Sequence, residues 1–363
     1  MEELLSFKGC LKPLAFDSAA SAGRRHEEDE DAVLFGLIDP FVLDCRKVIN
    51  SKLYRRLARK TQVFPAAKNV HLRNRLIHTE EVVSFASTVA EILGLNVGLT
   101  AAIAYAHDLG HAPFGHAGER KIAELTGLEF RHEKFGMFLV NEMDRKGKLN
   151  LCYETILGQG YHSRGGGDLW IDGNVPAEFN LVMLADKLAY FSSDVSDCLR
   201  KKYLTPERLP AVIRSLGENQ REQTAKLIFG LVQESAAYHS IHFSDSEIAF
   251  AYREALEWMH FNVYSRVDHE EEHQRMFKDL ERAYWFLSEN QKSLNVMAPG
   301  VILAMLTDDE VLELSAMQEH AAIKDLERAK QLAIFEFDFG HVFNRSAESC
   351  FDPQIKVHDF KKF

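Results

Sequence analysis

Cysteine is scarce in this chain, and what there is forms no pattern. Cys10, Cys45, Cys152, Cys198 and Cys350 are scattered, odd in number and never spaced as CxxC, which argues against a disulfide framework or a thiolate zinc site. No apolar run approaches the roughly 18–20 residues needed to span a bilayer. The opening MEELLSFKGC also lacks the basic, apolar, small-residue order of a targeting segment. The expectation is therefore a cytoplasmic protein without membrane contact. An excess of positive charge is missing as well: the net charge is −11, which argues against non-specific coating of nucleic acid, because such binding needs many Lys and Arg contacts to phosphate. It does not exclude a small anionic ligand, since local cations and a metal reverse the field inside a cleft. Internal repeats and low-complexity blocks are absent too. What remains is ordinary for a folded protein, with 46% hydrophobic and 27% charged residues. At 363 residues the chain exceeds a typical domain, yet one elaborated helical core can hold it.

The patterning is that of an all-α protein. Residues 18–32 (SAASAGRRHEEDEDA) read as an exposed arm, and dense helical periodicity begins at Pro40. Between His78 and Leu93, the residues Val82, Phe85, Val89 and Ile92 recur at three- and four-residue spacings, one apolar stripe that stops at Gly94. Further helices are expected over about Val97–His107, Arg131–Met143 and Leu181–Leu199, with amphipathic helices from Pro206 to about Leu332. The glycine-rich tract 158–176 (GQGYHSRGGGDLWIDGNVP) predicts a flexible loop with a short hairpin. The final stretch from Phe335 receives no assignment. This gives an N-terminal arm (1–40), a core carrying the chemistry (41–200), and a C-terminal helical region (201–363) that completes the cleft and supplies oligomer contacts.

The chemistry centres on His78, at the start of its expected helix, and the pair His107-Asp108, 29 positions further on. Imidazole and carboxylate together suit Mg, Mn, Fe, Ni or Zn and leave coordination positions open. A lone His-Asp pair is equally the mark of a helix end followed by a capping Asp. The surrounding segment HDLGHAPFGHAGE (107–119) shifts that balance: it packs three histidines and two acids onto a Gly/Pro-bearing turn directly after the apolar AAIAYA. His116 and Glu119 sit at i and i+3, where a carboxylate orients an imidazole for proton transfer. Asp186, Tyr190 and Asp194 recur every four residues on one face of an otherwise apolar helix. A buried carboxylate there needs a cation, either a metal or a neighbouring Lys or Arg. Three other features compete. His269–His273 (HEEEH) fits the HExxH pattern of zinc proteases, but its charged surroundings make a solvated helix face the better reading. His239 and His242 are left unassigned. Arg55, Arg56 and Arg59 form a basic face, to be read either as an effector site for a nucleotide or single-stranded DNA or as surface arginines paired with acids.

Taken in order, GRRHEEDEDA, LYRRLARKTQVFPAAKNVHLRNRLIHTEEV, AHDLGHAPFGHAGE, LNLCYETILG and ADKLAYFSSD cover about residues 23–200. In this series the chain resembles the HD-domain phosphohydrolases, and within them the dGTP triphosphohydrolase group and the mammalian SAM-and-HD-domain dNTPase. The resemblance implies an HD-type helical fold with additional C-terminal helices. It implies a divalent metal held by His78, His107, Asp108 and Asp186. It makes His116 the general acid, with Glu119 beside it and His132 near the phosphates. Arg75 and Lys187 become contacts to a triphosphate, while Tyr190, Asp194 and Gln62 read the deoxyribose near its 3′-hydroxyl. The implied reaction is attack of activated water at the α-phosphorus of a deoxynucleoside triphosphate, dGTP-like substrates foremost, with release of nucleoside and intact triphosphate. A homo-oligomer is also implied. HD enzymes acting on nucleoside monophosphates or cyclic dinucleotides, and a sensing module with a degenerate site, are the alternatives. The KTQVF and ADKLAYFSSD segments favour the triphosphatase group, and every metal position is filled. MLTDDEVLEL (305–314) resembles a segment of the same enzymes.

Overall fold

The computed structural model describes residues 6–26, 34, 37–64, 69, 71–144, 149–163, 171–267, 271–295, 297–317, 323–340, 342 and 344–360. Among these residues the fold is all-α. No β-strand occurs among them, and Thr61 and Asn74 form an isolated antiparallel bridge. The α-helices of five or more residues, in chain order, are α1 Pro40–Ile49, α2 Lys52–Arg56, α3 Arg75–Leu93, α4 Val97–Ala106, α5 Gly115–Thr126, α6 His132–Phe138 and α7 Tyr153–Tyr161. The long α8 follows at Ala177–Arg200, then α9 Ala211–Leu216, α10 Gln220–Tyr238, α11 Glu247–Met259, α12 Glu271–Leu294, α13 Pro299–Met305, α14 Asp308–Ser315, α15 Ile323–Ala329 and α16 Ala347–Phe351. No helix among the described residues is long and apolar enough to cross a membrane.

Helix α4 organises the assembly. Its sequence VGLTAAIAYA is apolar on nearly every face, so burial on all sides is its stable state, and it packs against α1, α3, α7 and α8. Asn96 caps its first turn by accepting from the Leu99 amide. Its other end delivers His107 and Asp108 into the interior. Helix α3 starts at Arg75, three residues before the expected His78, because Asn74 accepts from the Ile77 amide and caps the helix there. His78 therefore lies one turn inside the helix, and Gly94 closes it in the left-handed conformation at φ 81°.

Two apolar cores meet along the cleft. One gathers α3, α4, α8 and the helices α9–α11; the other gathers α5, α6, α12–α14 and the C-terminal residues. The region beyond residue 200 thus splits between both walls. Its last segment, unassigned from sequence, is part of the second core: Phe351 stands edge-on to Phe130 and Phe135, with centroids 4.9 and 5.5 Å away.

Three expectations change. The glycine-rich tract forms no hairpin among its described residues: 158–161 finish α7, and 171–176 make a bend closed by Asn180 Nδ2 donating to the Asp172 carbonyl at 2.9 Å. Residues 164–170 of that tract lie outside the described residues. The arm is not uniformly exposed, because Ser21 hydrogen-bonds Glu154 at 2.7 Å and Arg24 is buried beside Asp44. A guanidinium out of water requires an anion and carbonyls around it, and Asp44 and the Asn150 carbonyl supply them. The Arg55/Arg56/Arg59 face is likewise broken up: Arg56 is buried on Glu310 and the Met305 carbonyl, and Arg59 pairs with Asp309 at 3.1 Å.

Because Arg24 and Asp44 have no exposed side-chain surface, Arg24→Met should leave a buried, uncompensated carboxylate and lower unfolding stability by about 3–5 kcal/mol. Urea denaturation checks this; a change below about 1 kcal/mol would show that the buried Arg24–Asp44 pair contributes little to the fold.

Candidate active site

A cavity of about 960 Å³ opens between the two cores. Arg75 and His78 reach it from α3, Asp108 and His111 from the α4–α5 turn, His116 and Glu119 from α5, and His132 from the first residue of α6. Helix α8 adds Asp186, Lys187, Tyr190 and Asp194 from its opposite wall. The α4–α5 turn is locked against α6 at a contact that admits no side chain. A Cβ on Gly110 would stand 2.0 Å from the His132 carbonyl oxygen and 2.3 Å from the Gly136 amide.

Four of the sequence-predicted residues converge at the floor. His78 Nε2 lies 2.9 Å from Asp186 Oδ1 and 3.9 Å from Asp108 Oδ2; His107 Nε2 lies 3.4 Å from Asp108 Oδ1 and 3.8 Å from Asp186 Oδ1. His107 Nδ1 donates to the Ala104 carbonyl at 2.6 Å, which fixes the tautomer and points the Nε2 lone pair at the carboxylates. That Nε2 is buried without a hydrogen-bond partner. An orphaned imidazole nitrogen converging with two carboxylates is the donor set of a divalent cation, so the residues fit a metal. Burial opposes ionisation of Asp108, but His107, His111 and Arg75 outweigh it and hold the carboxyl well below its usual range. Burial likewise opposes ionisation of Asp186, and the hydrogen bond from His78, first among the influences of the neighbouring rings, brings it down. Arg75 is committed within the protein: it donates to Asp108 Oδ2 at 2.9 Å and to the carbonyls of Thr61 and Gln62.

Beside this floor, Glu119 gathers three histidines. His111 Nδ1 contacts its carboxylate, His132 Nδ1 is 3.1 Å away and His116 Nδ1 3.4 Å. His111 and His132 stack with centroids 3.6 Å apart. Burial lowers the basicity of His132, but the Glu119 charge and hydrogen bond prevail and push it up to about 9. His111 falls to about 3, through burial and then the charges of Arg75 and His132. His116 differs from both: its side chain is 66% exposed at the cavity mouth, where an incoming molecule is met. His162, at the end of α7, joins from behind, its Nε2 3.1 Å from His132 Nε2.

On the α8 wall, Tyr264 donates to Asp194 Oδ2 at 2.7 Å, and Tyr252 donates to the Lys187 carbonyl at 3.0 Å. Burial raises Asp194 to about 7 against the lowering effect of the Tyr264 bond. Tyr264 ends a π-helical turn, His260–Tyr264, which also brings Phe261 to the cavity edge. Gln62 lines the same cavity. The sequence reading missed a role for His111, His162, Tyr264 and His273. His111 had a signal, four residues after His107 on the same turn. His273 is a correction: it is buried and lines the cavity, because α12 packs on α5 and turns that histidine inward. His269 and Glu270 of that motif lie outside the described residues. His239 is an exposed cap of α10, and His242 pairs with Asp245 at 3.0 Å.

Comparison with known proteins agrees with this geometry. The HD domain family model matches residues 75–190, the span from Arg75 to Tyr190. A deoxyguanosinetriphosphate triphosphohydrolase-like protein of Caldanaerobacter subterraneus subsp. tengcongensis is 34% identical over 290 residues, covering 79% of this chain and 82% of its own. Proteins described in the same words are 37% identical over 231 residues in Desulfatibacillum aliphaticivorans (62% and 65% covered) and 32% over 258 residues in Clostridium tetani (69% and 73%).

The Glu119–His132 pair carries a pH signature. Since the folded value of about 9 lies above the ordinary 6.5, the pair's contribution to stability is full between the ordinary carboxylate range and pH 6.5, is lost as pH rises through about 9, and is lost again in acid as Glu119 takes a proton. In metal-stripped protein, Glu119→Gln should lower the His132 titration markedly, because burial is then opposed only by the lesser charges of Glu133 and Asp108. Imidazole NMR titration reads this directly, and an unmoved His132 would assign its proton affinity to another group.

Proposed function

The chain belongs to the HD-domain phosphohydrolases, among the deoxyguanosinetriphosphate triphosphohydrolase-like proteins, and from this we propose that it hydrolyses deoxynucleoside triphosphates, dGTP-like ones foremost, to deoxynucleoside and intact triphosphate. The observation that carries the reading is the placement of His78, Asp108 and Asp186 on the floor of one cavity, with His107 buried against them, between a histidine–carboxylate cluster and the hydroxyl- and carboxyl-bearing wall of α8.

His78, His107, Asp108 and Asp186 would hold the metal, with Mn, Mg, Fe, Ni and Zn all compatible with this donor set. When bound, a divalent ion there supplies Lewis acidity to phosphate oxygens and acidifies water. The protein's own groups do the rest. Arg75 keeps Asp108 ionised and aimed. Lys187, beside Asp186, adds local positive charge to an acidic chain. His116 stands at the mouth, oriented by Glu119 Oε2 at 3.4 Å, and gives its proton to the departing sugar oxygen. His132 stays protonated near neutrality and favours phosphate beside it. Tyr190 and Asp194 take the deoxyribose from the α8 side with Gln62 opposite, and the Tyr264 hydroxyl fixes the Asp194 carboxyl.

Cytoplasmic residence and a homo-oligomer belong to the same proposal. Exposed Leu37, Ile38, Val42 and Ile49 give an apolar strip at α1 to support the latter. A nucleotide or single-stranded DNA effector would have Arg55 but not the three-arginine face to bind, since Arg56 and Arg59 are engaged by Glu310 and Asp309.

Incubation with each dNTP and NTP in Mg or Mn, followed by chromatography, should yield nucleoside plus triphosphate and stop with chelator. Monophosphate plus pyrophosphate, or turnover of monophosphates alone, would move the chain to another branch of the HD enzymes. His107→Ala and Asp186→Ala should lose both bound metal and turnover while remaining folded, and His116→Ala should cut kcat by about 10²–10⁴-fold. Full activity in both metal-site variants would overturn the ligand assignment.

A further inference from the structure

The turn that carries His116 is held by a residue from the far end of the chain. Phe114, two positions before His116, is in the left-handed conformation at φ 60°, and Gly115 follows at φ 61°. A residue with a bulky Cβ substituent stays in that region only where its surroundings hold it there, and Phe114 offers α5 no side-chain cap. The hold comes from Asp308, the first residue of α14, whose Oδ1 accepts from the Phe114 amide at 2.9 Å across 194 positions of sequence. The second oxygen grips another segment: Oδ2 accepts from the Thr61 amide at 2.8 Å and from the Thr61 hydroxyl at 2.6 Å. Between the two anchors lies Arg75. It donates to the Thr61 and Gln62 carbonyls and sits so close to Gly115 that a Cβ there would stand 2.9 Å from its Nη2. One carboxylate thus joins the segment that holds Arg75 and Gln62 to the turn from which His116 projects, and Gln62, Arg75, Phe114 and His116 all line the cavity.

We propose that Asp308 is a positioning residue for the reaction: by fixing Phe114 and Thr61 at once, it sets where His116 stands relative to Arg75 and the floor. A general acid works only within hydrogen-bond reach of the atom it protonates, and a misplacement of about 1 Å can cost about 10²-fold in rate. The competing account confines Asp308 to its own helix, as an acid in the first turn of α14 where the helix dipole favours one. It leaves the walls to Lys60, which donates to the His111 and Ala304 carbonyls. Both oxygens of Asp308, however, are turned onto segments outside α14.

The inference rests on the reading of His116 as the proton donor. Asp308→Ala should lower kcat for deoxynucleoside triphosphates by about 10- to 100-fold. The same change made in His116→Ala should cost less than about threefold, since a residue acting through His116 then has nothing left to position. Asp309→Ala, on the same turn but paired with Arg59 at the surface, should leave kcat within about twofold. Equal losses in the two backgrounds overturn the proposal, as does a comparable loss in Asp309→Ala, or an unchanged kcat in Asp308→Ala with lowered urea stability. Should Asp308→Ala fail to fold, Asp308→Asn takes its place in the same cycle: it keeps the shape and one acceptor but sets an amide N–H against a backbone N–H. If the wild type turns over no deoxynucleoside triphosphate, the proposed function falls and amide hydrogen exchange decides whether Asp308 holds the turn. Exchange at Phe114 should quicken by about tenfold or more in Asp308→Ala while the helices of both cores stay protected; unaltered exchange there overturns the inference.

Discussion

A carboxylate taken out of water is tolerable only where cations and donors surround it, and Asp108 is 2% exposed at the junction of the two cores. Its partners come from several parts of the chain: Arg75 from α3, and His107 and His111 from its own turn. Arg75 is in turn pinned by carbonyls of residues 61 and 62, so the segment before α3 is drawn into the same requirement. The positions of α3, the α4–α5 turn and the residues leading into α3 are thus tied through one buried negative charge. The cavity between the cores is shaped by where that charge had to be satisfied.

The apolar helix α4 makes this affordable. It anchors the first core on four sides and ends where the polar cluster begins, so the transition from AAIAYA to HDLGH is also the passage from packing to chemistry. The second core brings Glu119 and His132 to the same charge from the far wall. Neither core alone encloses the site. The C-terminal half therefore takes part in forming the cleft, with the π turn at Tyr264 on one wall and His273 of α12 on the other.

Much of this was legible in the residues themselves. The stripe of α3, the apolar run of α4, and the four-residue recurrence of Asp186, Tyr190 and Asp194 are periodic signals, and periodicity survives folding unchanged. The floor residues followed from chemistry and resemblance together, and the structure brings those four together. What stayed hidden depends on contacts distant in sequence. His162 fell in a tract whose glycines imitate a loop, although Gly158 and Gly160 are tight packing positions against Ile103 and Met137. Arg56 looked like surface because its partner, Glu310, lies 254 residues away. His273 looked solvated because its neighbours in sequence are charged, whereas its neighbours in space are the cavity walls. The place of Phe351 is revealed only by its ring contacts with Phe130, just before α6, and Phe135 on it.

The side-chain-free contact between Gly110 and the start of α6 has a consequence for how such a site is inherited. Two backbones that touch this closely behave as one part, cut to a single register, so neither the metal-bearing turn nor the helix that carries His132 is a module that recombination can exchange alone. A chimera joined between residues 110 and 132 takes the two faces of the contact from different parents and so sets against each other two backbones that were not fitted together.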